Sequence, residues 1–281
     1  MEKTLLSIGH GYSARALARL LLPKGWTVIG TTRSADKAIA LETEGIEPLV
    51  WPGNKLPIER ASHVLSSVSP GEEGDPVILE TGDTLRKAKH LEWVGYLSTT
   101  GVYGDREGDW VDEGSELLPS TRRGQARVDA EAAWQALGLP LHIFRLAGIY
   151  GPGRGPFEKV RNGTARRIIK DGQVFSRIHV DDIAQVVAAS IDRPNPGAIY
   201  NLCDDDPAPP EDVIAHAAEL LGLPIPEAIA FEEADLSPMA RSFYAESKRV
   251  RNDRIKEELG VKLLYPTYRD GLSAVLAAEE G

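Results

Sequence analysis

The stretch MEKTLLSIGHGYSARALARLLLPKGWTVIGTTRS, residues 1–34, decides the fold. An apolar run that contains Leu5, Leu6 and Ile8 predicts a strand, and a second run at residues 26–30 predicts another. Between the two runs lies a helical pattern, whose predicted apolar face consists of Ala16, Leu17, Leu20 and Leu21. Strand, glycine turn, helix and strand make up a βαβ unit, which is the building block of a parallel sheet.

The turn after the first strand reads G-x-G-x-x-A. Gly9 permits a tight turn, Gly11 allows a pyrophosphate to approach the backbone, and Ala14 lets the helix pack closely on the strand. The helix that begins near Tyr12 and Ser13 offers free N–H groups and a partial positive charge to phosphates. This pattern predicts dinucleotide binding, and the alternative is a glycine-rich turn that serves packing only.

The end of the second strand bears on which dinucleotide is bound. An NAD site usually has an acidic residue there that holds the ribose 2′-OH, but this chain has Thr31 at that position. Arg33 can pair with a 2′-phosphate, and Thr32 and Ser34 can donate hydrogen bonds to it. The segment therefore favours NADP, with NAD as a possibility, unless Arg33 is only a solvated charge.

Composition bounds the class of protein. With 281 residues, 42% of them hydrophobic and 26% charged, the chain is typical of a globular α/β protein. A net charge of −10 argues against a general nucleic-acid binder. Cys203 is the only cysteine, so neither a disulfide framework nor a thiolate zinc site is expected. With no signal peptide or membrane-spanning run in the sequence, we expect a cytoplasmic protein that does not contact a membrane.

Predicted strands and helices alternate along the chain, which implies an α/β, Rossmann-type, doubly wound parallel sheet with helices on both faces. In such a sheet the carboxyl ends of the strands line the ligand crevice. Ser66 to Pro70 are therefore expected beside the cofactor, although an ordinary polar loop is an equal alternative. The acidic, glycine-rich residues after Gly104 are expected to form a loop over the cleft, and residues 157–170 a short basic helix.

Five motifs occur in a characteristic order: GHGYSA (9–14), STTGVYGD (98–105), RLAGIYGPG (145–153), RIHVDDIA (177–184) and AIYNLCDDDPAPPEDV (198–213). Together they resemble the extended short-chain dehydrogenase/reductases, the NAD(P)-dependent epimerase/dehydratase family, over residues 4–223. The resemblance implies an NAD(P)-binding Rossmann domain at residues 1–150, to which residues 178–203 return. Residues 151–177 and 204–281 would then form a smaller, mainly C-terminal substrate-binding region.

The resemblance also implies roles for single residues. Thr99 matches the family's catalytic Ser/Thr, which hydrogen-bonds the reacting oxygen of the substrate, and Ser98 beside it is assigned to the cofactor. Residues 147–153 resemble the segment that passes the nicotinamide. His179 and Asp181 match a structural and substrate-side motif just before a helix.

The chain departs from the family at its proton-transfer pair, Tyr-x-x-x-Lys. Arg123 stands at the Tyr position and Arg127 at the Lys position, so the chain looks like an atypical member. Arg127 can still hydrogen-bond ribose hydroxyls. Arg123 stays protonated and is a poor general acid or base, but it can bind an anion or stabilise a developing oxyanion. The alternative is that both arginines only cover the helix surface.

Other candidates have plainer explanations. Tyr103 and Tyr150 each follow a cleft strand, but packing is the simpler role for both. His10 is expected to be exposed in the phosphate turn, and His179 is either a proton-transfer group with Asp181 or a structural histidine. The run Asp204 to Asp206 is read as a charged turn and not as a metal site.

These observations lead to one hypothesis and two alternatives. The hypothesis is an NADP-preferring oxidoreductase or epimerase-like enzyme that acts on a small polar substrate, with Thr99, Arg123 and Arg127 as catalytic residues and no metal. One alternative is a dinucleotide-binding redox sensor or scaffold without hydride chemistry, which the lost Tyr–Lys pair supports. The other is a Rossmann-type methyltransferase, which RIHVDDIA and YGPG disfavour. A homodimer through the helix that holds Arg123 remains possible on family grounds.

Overall fold

The computed structural model describes residues 3–280, apart from the side chain of Met239; Met1, Glu2 and Gly281, which the predicted domain ranges include, lie outside the described residues. The strands in this part of the chain are β1 (Thr4–Ile8), β2 (Thr27–Thr32), β3 (Glu47–Val50), β4 (His63–Ser66), β5 (Trp93–Thr99), β6 (Trp110–Val111), β7 (Leu141–Leu146), β8 (Gly148–Tyr150), β9 (Arg167–Ile169), β10 (Arg177–His179), β11 (Ile199–Leu202), β12 (Ala228–Ala230) and β13 (Arg249–Val250). The helices are α1 (Tyr12–Leu21), α2 (Ala35–Thr43), α3 (Pro76–Lys87), α4 (Arg122–Gln135), α5 (Phe157–Arg161), α6 (Val180–Asp192), α7 (Pro210–Leu220), α8 (Pro238–Phe243), α9 (Asp253–Glu257) and α10 (Tyr268–Glu280).

The central sheet has the strand order β11-β7-β5-β4-β1-β2-β3, and every neighbouring pair is parallel. Strand β1 pairs with β2 on one side and with β4 on the other, so the chain reverses its direction of winding beside β1. Ligands of open α/β sheets bind at the carboxyl ends of the strands at such a reversal. The prediction of a Rossmann-type doubly wound sheet is confirmed.

Alternate residues of the strands serve two hydrophobic clusters. Leu5 belongs to the cluster beneath α1 and α6, whereas Leu6 and Ile8 belong to the cluster beneath α3 and α4. A strand covered on both faces must be apolar throughout, which explains the continuous runs in the sequence. The buried stripe of α1 is Ala14, Leu17, Ala18 and Leu21, at helical spacing. Leu20 lies beside this stripe and is 39% exposed, so its predicted place on the buried face was wrong.

A third hydrophobic cluster is built from residues 150–160 together with α7 and α10. Short parallel pairs connect this part of the chain to the loops: β8 with β10, β9 with β12, and β6 with β13. The predicted basic helix at residues 157–170 is helical only at Phe157–Arg161, because β9 follows it. None of the helices within residues 3–280 is long and apolar enough to cross a membrane.

The acidic segment after Gly104 does not form the predicted loop over the cleft. Its strand β6 pairs with β13, and the backbone N–H groups of Arg106 and Gly108 donate to the Ser247 carbonyl. This pairing holds the segment against the C-terminal part of the chain. Among the described residues that line the cleft, none belongs to residues 105–120. Residues from 242 to 250 line the cleft instead.

Candidate functional site

A cleft of about 1400 Å³ opens at the carboxyl ends of the central strands. This volume is large enough for a dinucleotide together with a second small ligand. Of the predicted site residues, the following line it: Gly11, Tyr12, Ser13, Ala14, Ser98, Thr99, Arg123 and Arg127. Those outside its wall are Gly9, Thr32, Arg33, Ser34 and Ser66.

The phosphate turn has the geometry that its glycines imply. Gly9 has φ +76°, and a Cβ there would lie 2.9 Å from Val68 Cγ2, so only glycine fits. Its N–H donates to Thr31 Oγ1 at 2.7 Å, which fixes the turn against β2. A Cβ on Gly11 would meet only the Gly9 carbonyl, at 3.7 Å, so the cleft side of the turn is open.

The N-terminus of α1 faces the same opening. Gly11 caps the helix with no side-chain hydrogen bond, and its first turn contains no acidic residue. Unpaired N–H groups and the positive end of a helix dipole attract anions. The turn and the helix therefore fit a pyrophosphate.

His10 lies inside this turn but is not exposed, which corrects the prediction. Its ring is buried, with Nδ1 2.9 Å from Ser7 Oγ, and it packs over Gly30. Burial and the charge of Arg15 lower the pKa of His10 to about 4. A neutral imidazole at pH 7 packs β1 against β2 and adds no charge to the turn.

The end of β2 carries no acidic side chain. Thr31 is buried, and its Oγ1 accepts the Gly9 N–H. Its side chain therefore fixes the phosphate turn, and it offers no carboxylate to a ribose 2′-OH. Arg33 is exposed and forms neither an ion pair nor a hydrogen bond with any residue from 3 to 280. Ser34 caps α2 by accepting the Lys37 N–H at 3.4 Å. A free guanidinium at this position is available to an anion.

Arg127 is held on the floor of the cleft. Its Nη1 donates to the Leu97 carbonyl at 2.7 Å and to the Tyr96 hydroxyl at 3.2 Å, and its Nη2 donates to Ser69 Oγ at 2.9 Å. The guanidinium therefore joins α4 to the ends of β4 and β5. Thr99 lies on the same wall, where its Oγ1 accepts the Gly101 N–H at 3.1 Å. The Thr99 hydroxyl keeps its own proton to donate into the cleft.

Arg123 points away from this floor toward the other wall. Its Nη2 lies 3.5 Å from Ser242 Oγ, and its guanidinium is 5.5 Å from the centre of the Phe243 ring. Arg123 therefore connects α4 to α8 across the cleft. The two arginines of the altered Tyr-x-x-x-Lys motif have different surroundings, one on the floor and one at the rim.

None of three tyrosines near these strands has the lowered pKa that proton transfer requires. Burial raises the pKa of Tyr96 to about 12 and that of Tyr103 to about 12. Burial also raises the pKa of Tyr150, whose ring lines the cleft and whose hydroxyl donates to the Thr267 carbonyl at 3.4 Å. All three stay protonated at neutral pH, and packing accounts for Tyr103, which is fully buried.

Ser98 takes part in a buried polar network that sequence reasoning missed. Its Oγ donates to Glu131 Oε1 at 2.5 Å, and Glu131 accepts three hydrogen bonds from Arg145. Arg145 donates to the Tyr103 hydroxyl at 3.0 Å, and Tyr103 donates to Asn201 Oδ1 at 2.7 Å. Although burial works against its charge, Glu131 and Tyr103 raise the pKa of Arg145. The signal in the sequence was a single arginine inside the apolar strand LHIFRL.

The cleft is more positive than the protein as a whole. Within the described residues, six cationic and three acidic side chains line it, although the whole chain has a net charge of −10. The cations are Arg122, Arg123, Arg127, Arg154, Arg177 and Lys248. Such a local excess raises the concentration of anionic ligands.

Two further cleft positions differ from the prediction from sequence. Ser66 is fully buried, and its Oγ has no partner among the described residues, whereas Ser67, Ser69 and Pro70 of the stretch expected beside the cofactor line the cleft. Arg154 lies over the Tyr12 ring, 5.7 Å from its centre, and Tyr12 donates to the Pro152 carbonyl at 3.0 Å. These contacts place a cation beside the phosphate turn.

The remaining polar candidates have structural surroundings. His179 Nδ1 accepts the Asp181 N–H at 3.2 Å and so caps α6, and burial lowers its pKa. Asp204 is buried, and burial raises its pKa to about 8. No cluster of three or more His, Cys, Asp or Glu side chains is placed to hold a metal in the part of the chain that the structure covers.

Comparison with known proteins was made by sequence and by structure. No family model matches the chain. Protein YeeZ from Escherichia coli K12 is 29% identical over 282 aligned residues, which cover 94% of this chain and 97% of YeeZ. A 3-diazoavenalumate denitrifying reductase from Streptomyces is 30% identical over 177 residues, which cover 58% of this chain and 55% of that protein.

Solved structures resemble the chain over nearly its whole length. A functionally unknown conserved protein from Silicibacter pomeroyi is 61% identical with a TM-score of 0.95 and covers 99% of this chain and 100% of its own. A putative NAD-dependent epimerase/dehydratase from Methylobacillus flagellatus is 26% identical with a TM-score of 0.73 and covers 100% and 99%. Human epimerase family protein SDR39U1, solved with NADPH, has 17% identity and a TM-score of 0.75 and covers 98% and 99%.

The sheet order, the phosphate turn and these structures agree. The chain has the fold of the extended short-chain dehydrogenase/reductases, and over its whole length it is similar to a putative NAD-dependent epimerase/dehydratase.

Proposed function

We propose that the protein is an NADP(H)-dependent oxidoreductase that acts on a small polar substrate. The observation that carries this proposal is the N-terminus of α1, which has no side-chain cap and lies behind the open Gly11 turn. At the end of β2, Arg33 forms no ion pair or hydrogen bond with the residues that the structure describes. The positive lining of the cleft, the reductase among its relatives and the NADPH in the SDR39U1 structure support it. When bound, NADP(H) supplies or accepts the hydride.

The chain's own residues have distinct roles in this proposal. Arg127 is fixed by three hydrogen bonds beside the cofactor wall and can donate to ribose hydroxyls. The Thr99 hydroxyl donates to the oxygen of the substrate and orients it. Arg123 at the rim contributes positive charge, and residues 151–177 and 204–281 contribute the substrate side of the cleft.

A second candidate is a dinucleotide-binding protein without hydride chemistry. The observation that favours it is the altered Tyr-x-x-x-Lys motif together with the high pKa values of Tyr96 and Tyr150. In the enzyme hypothesis the proton that accompanies the hydride comes from solvent in the open cleft, because Tyr96 does not line the cleft and the Tyr150 hydroxyl donates its proton to the Thr267 carbonyl.

The test of the cofactor is calorimetric titration with NADPH and, separately, with NADH. We expect NADPH to bind at least ten-fold more tightly, about 1.4 kcal/mol. Arg33→Ala should remove this preference and leave the affinity for NADH unchanged. The control Arg86→Ala removes the same charge from the exposed side of α3 and should change neither affinity. If neither dinucleotide binds, the proposal is wrong.

The test of catalysis uses Thr99→Val. NADPH oxidation is followed with a panel of aromatic aldehydes and aryl diazonium salts as acceptors. The variant should lose turnover on any acceptor that the wild type reduces, while its affinity for NADPH stays within a few-fold. Tight NADPH binding without turnover on the whole panel would favour the non-catalytic candidate.

A further inference from the structure

Arg177 is placed at the substrate end of the cleft by the pairing of two short strands. In the β8–β10 pair it stands opposite Gly148, which follows the end of β7. A Cβ on Gly148 would lie 3.8 Å from Arg177 Cγ, so the aliphatic part of this side chain passes over the Gly148 backbone. The resemblance assigned this backbone to the passage beside the nicotinamide. Arg177 therefore lines the cleft next to the residues that follow β7.

The Arg177 guanidinium is only partly satisfied. Its Nη1 donates to the carbonyls of Phe175 at 2.9 Å and Ala208 at 3.0 Å. Its Nε and Nη2 donate no hydrogen bond to any other described residue, and neither atom is sealed from solvent. These two donors form one edge of the guanidinium fork, which matches the two oxygens of a planar oxyanion.

Arg177 also forms no ion pair with the described residues. No carboxylate lies within 4.0 Å of it in the part of the chain from 3 to 280. Burial lowers the pKa of Arg177, although the charges of Asp204 and Asp206 act in the opposite direction. The buried Asp204 has its pKa raised to about 8 and is mostly neutral at pH 7, and burial also raises the pKa of Glu211. A partly buried cation without a partner gains most from an anionic ligand.

Two aromatic rings line the same cleft as this cation. Phe175 is half-buried, and Phe243 on α8 is 55% exposed. An exposed phenylalanine at the mouth of a cleft offers apolar contact area to a ligand. A guanidinium with two free donors, in the same cleft as two aromatic rings, suits a ligand with one anionic end and a flat apolar body.

We propose that the substrate carries a carboxylate, which pairs with Nε and Nη2 of Arg177, on an apolar or aromatic body that packs between Phe175 and Phe243. This inference deepens the proposed function and rests on it. A phosphate group shares the oxyanion chemistry, and the experiment separates the two.

The experiment measures ligand binding by calorimetry to wild-type protein saturated with NADP⁺. The probes are 3-phenylpropanoate, its neutral analogue 3-phenylpropanamide, inorganic phosphate and UDP-glucose. We expect the carboxylate to bind at least ten-fold more tightly than the amide and more tightly than phosphate or UDP-glucose. Arg177→Gln should remove the preference for the carboxylate over the amide while NADPH affinity stays within two-fold. The control Arg86→Gln should keep the preference.

Arg177→Lys separates charge from shape. It keeps the positive charge but loses the two-donor edge, so we expect intermediate affinity for the carboxylate. If Arg177→Gln does not fold, the lysine variant and the comparison of acid with amide on the wild type decide the question. A structural role alone would lower the affinity for acid, amide and NADPH together.

Three results would overturn the inference. They are equal wild-type affinity for acid and amide, an unchanged preference in Arg177→Gln, and tighter binding of phosphate or UDP-glucose than of the carboxylate. Repeating the titrations without NADP⁺ separates the two proposals. Carboxylate binding through Arg177 in a protein that binds no dinucleotide would refute the proposed function and leave Arg177 only as a carboxylate-binding residue.

Discussion

The buried ion pair between Glu131 and Arg145 should dominate the response of the fold to a single charge change. Both side chains are 3% exposed, and Arg145 Nη2 lies 2.7 Å from Glu131 Oε2. The substitution Glu131→Gln leaves the Arg145 cation buried without its counter-charge. Breaking one partner of a buried pair costs about 3–5 kcal/mol, which is a large part of the roughly 5–15 kcal/mol that stabilises a typical protein.

The assay is urea unfolding followed by circular dichroism, with the melting temperature as a second measure. We expect Glu131→Gln to lower the melting temperature by on the order of 10 °C. The control Asp83→Asn breaks the exposed pair with Arg86 and should cost less than about 1 kcal/mol.

A double variant separates the cost of an orphaned charge from the value of the pair. Glu131→Leu combined with Arg145→Met removes both charges and should be more stable than either single variant, because no buried ion is left unpaired. Ser98 and Tyr103 would still lose partners, at about 1 kcal/mol each. The reasoning is refuted if Glu131→Gln stays within about 1 kcal/mol of the wild type, or if the double variant is less stable than both singles.

Three further predictions concern the turn and two buried titratable groups. Gly9→Ala should destabilise the protein by about 1–3 kcal/mol and weaken dinucleotide binding, because φ at this residue is +76° and the new Cβ would lie 2.9 Å from Val68 Cγ2. Urea unfolding measures the loss of stability, and NADPH titration measures the loss of affinity. Burial holds the pKa of His63 near 4 in the folded state, below its unfolded value, so stability should fall as the pH drops from about 6.5 to 4. Unfolding curves of His63→Gln should show a smaller fall, and a fall equal to that of the wild type would contradict this prediction. Burial raises the pKa of Asp204 to about 8, so stability should fall as the pH rises from about 4 to 8. Asp204→Asn should flatten this part of the plot of unfolding free energy against pH. A slope between pH 6 and pH 9 that is the same in the variant as in the wild type would contradict the assignment.

The sequence by itself determined the order of the elements and the class of fold. The apolar run with Leu5, Leu6 and Ile8 and the run at residues 26–30 predicted the strands Thr4–Ile8 and Thr27–Thr32. The G-x-G-x-x-A turn could be predicted from the sequence, because the positive φ at Gly9 and the open backbone at Gly11 depend on the residues at those positions. Periodicity and turn chemistry act over a few residues, so they can be read from a sequence without knowledge of the packing.

Only the tertiary structure decided which side chains meet. Ser66 and Ser67 are neighbours, but successive side chains of a strand point to opposite faces, and only the latter reaches the cleft. The contact between Ser98 and Glu131 joins residues 33 positions apart, and Arg177 passes over Gly148 because β10 pairs with β8. Such contacts depend on the register of strands and the packing of helices, which short-range patterns do not encode.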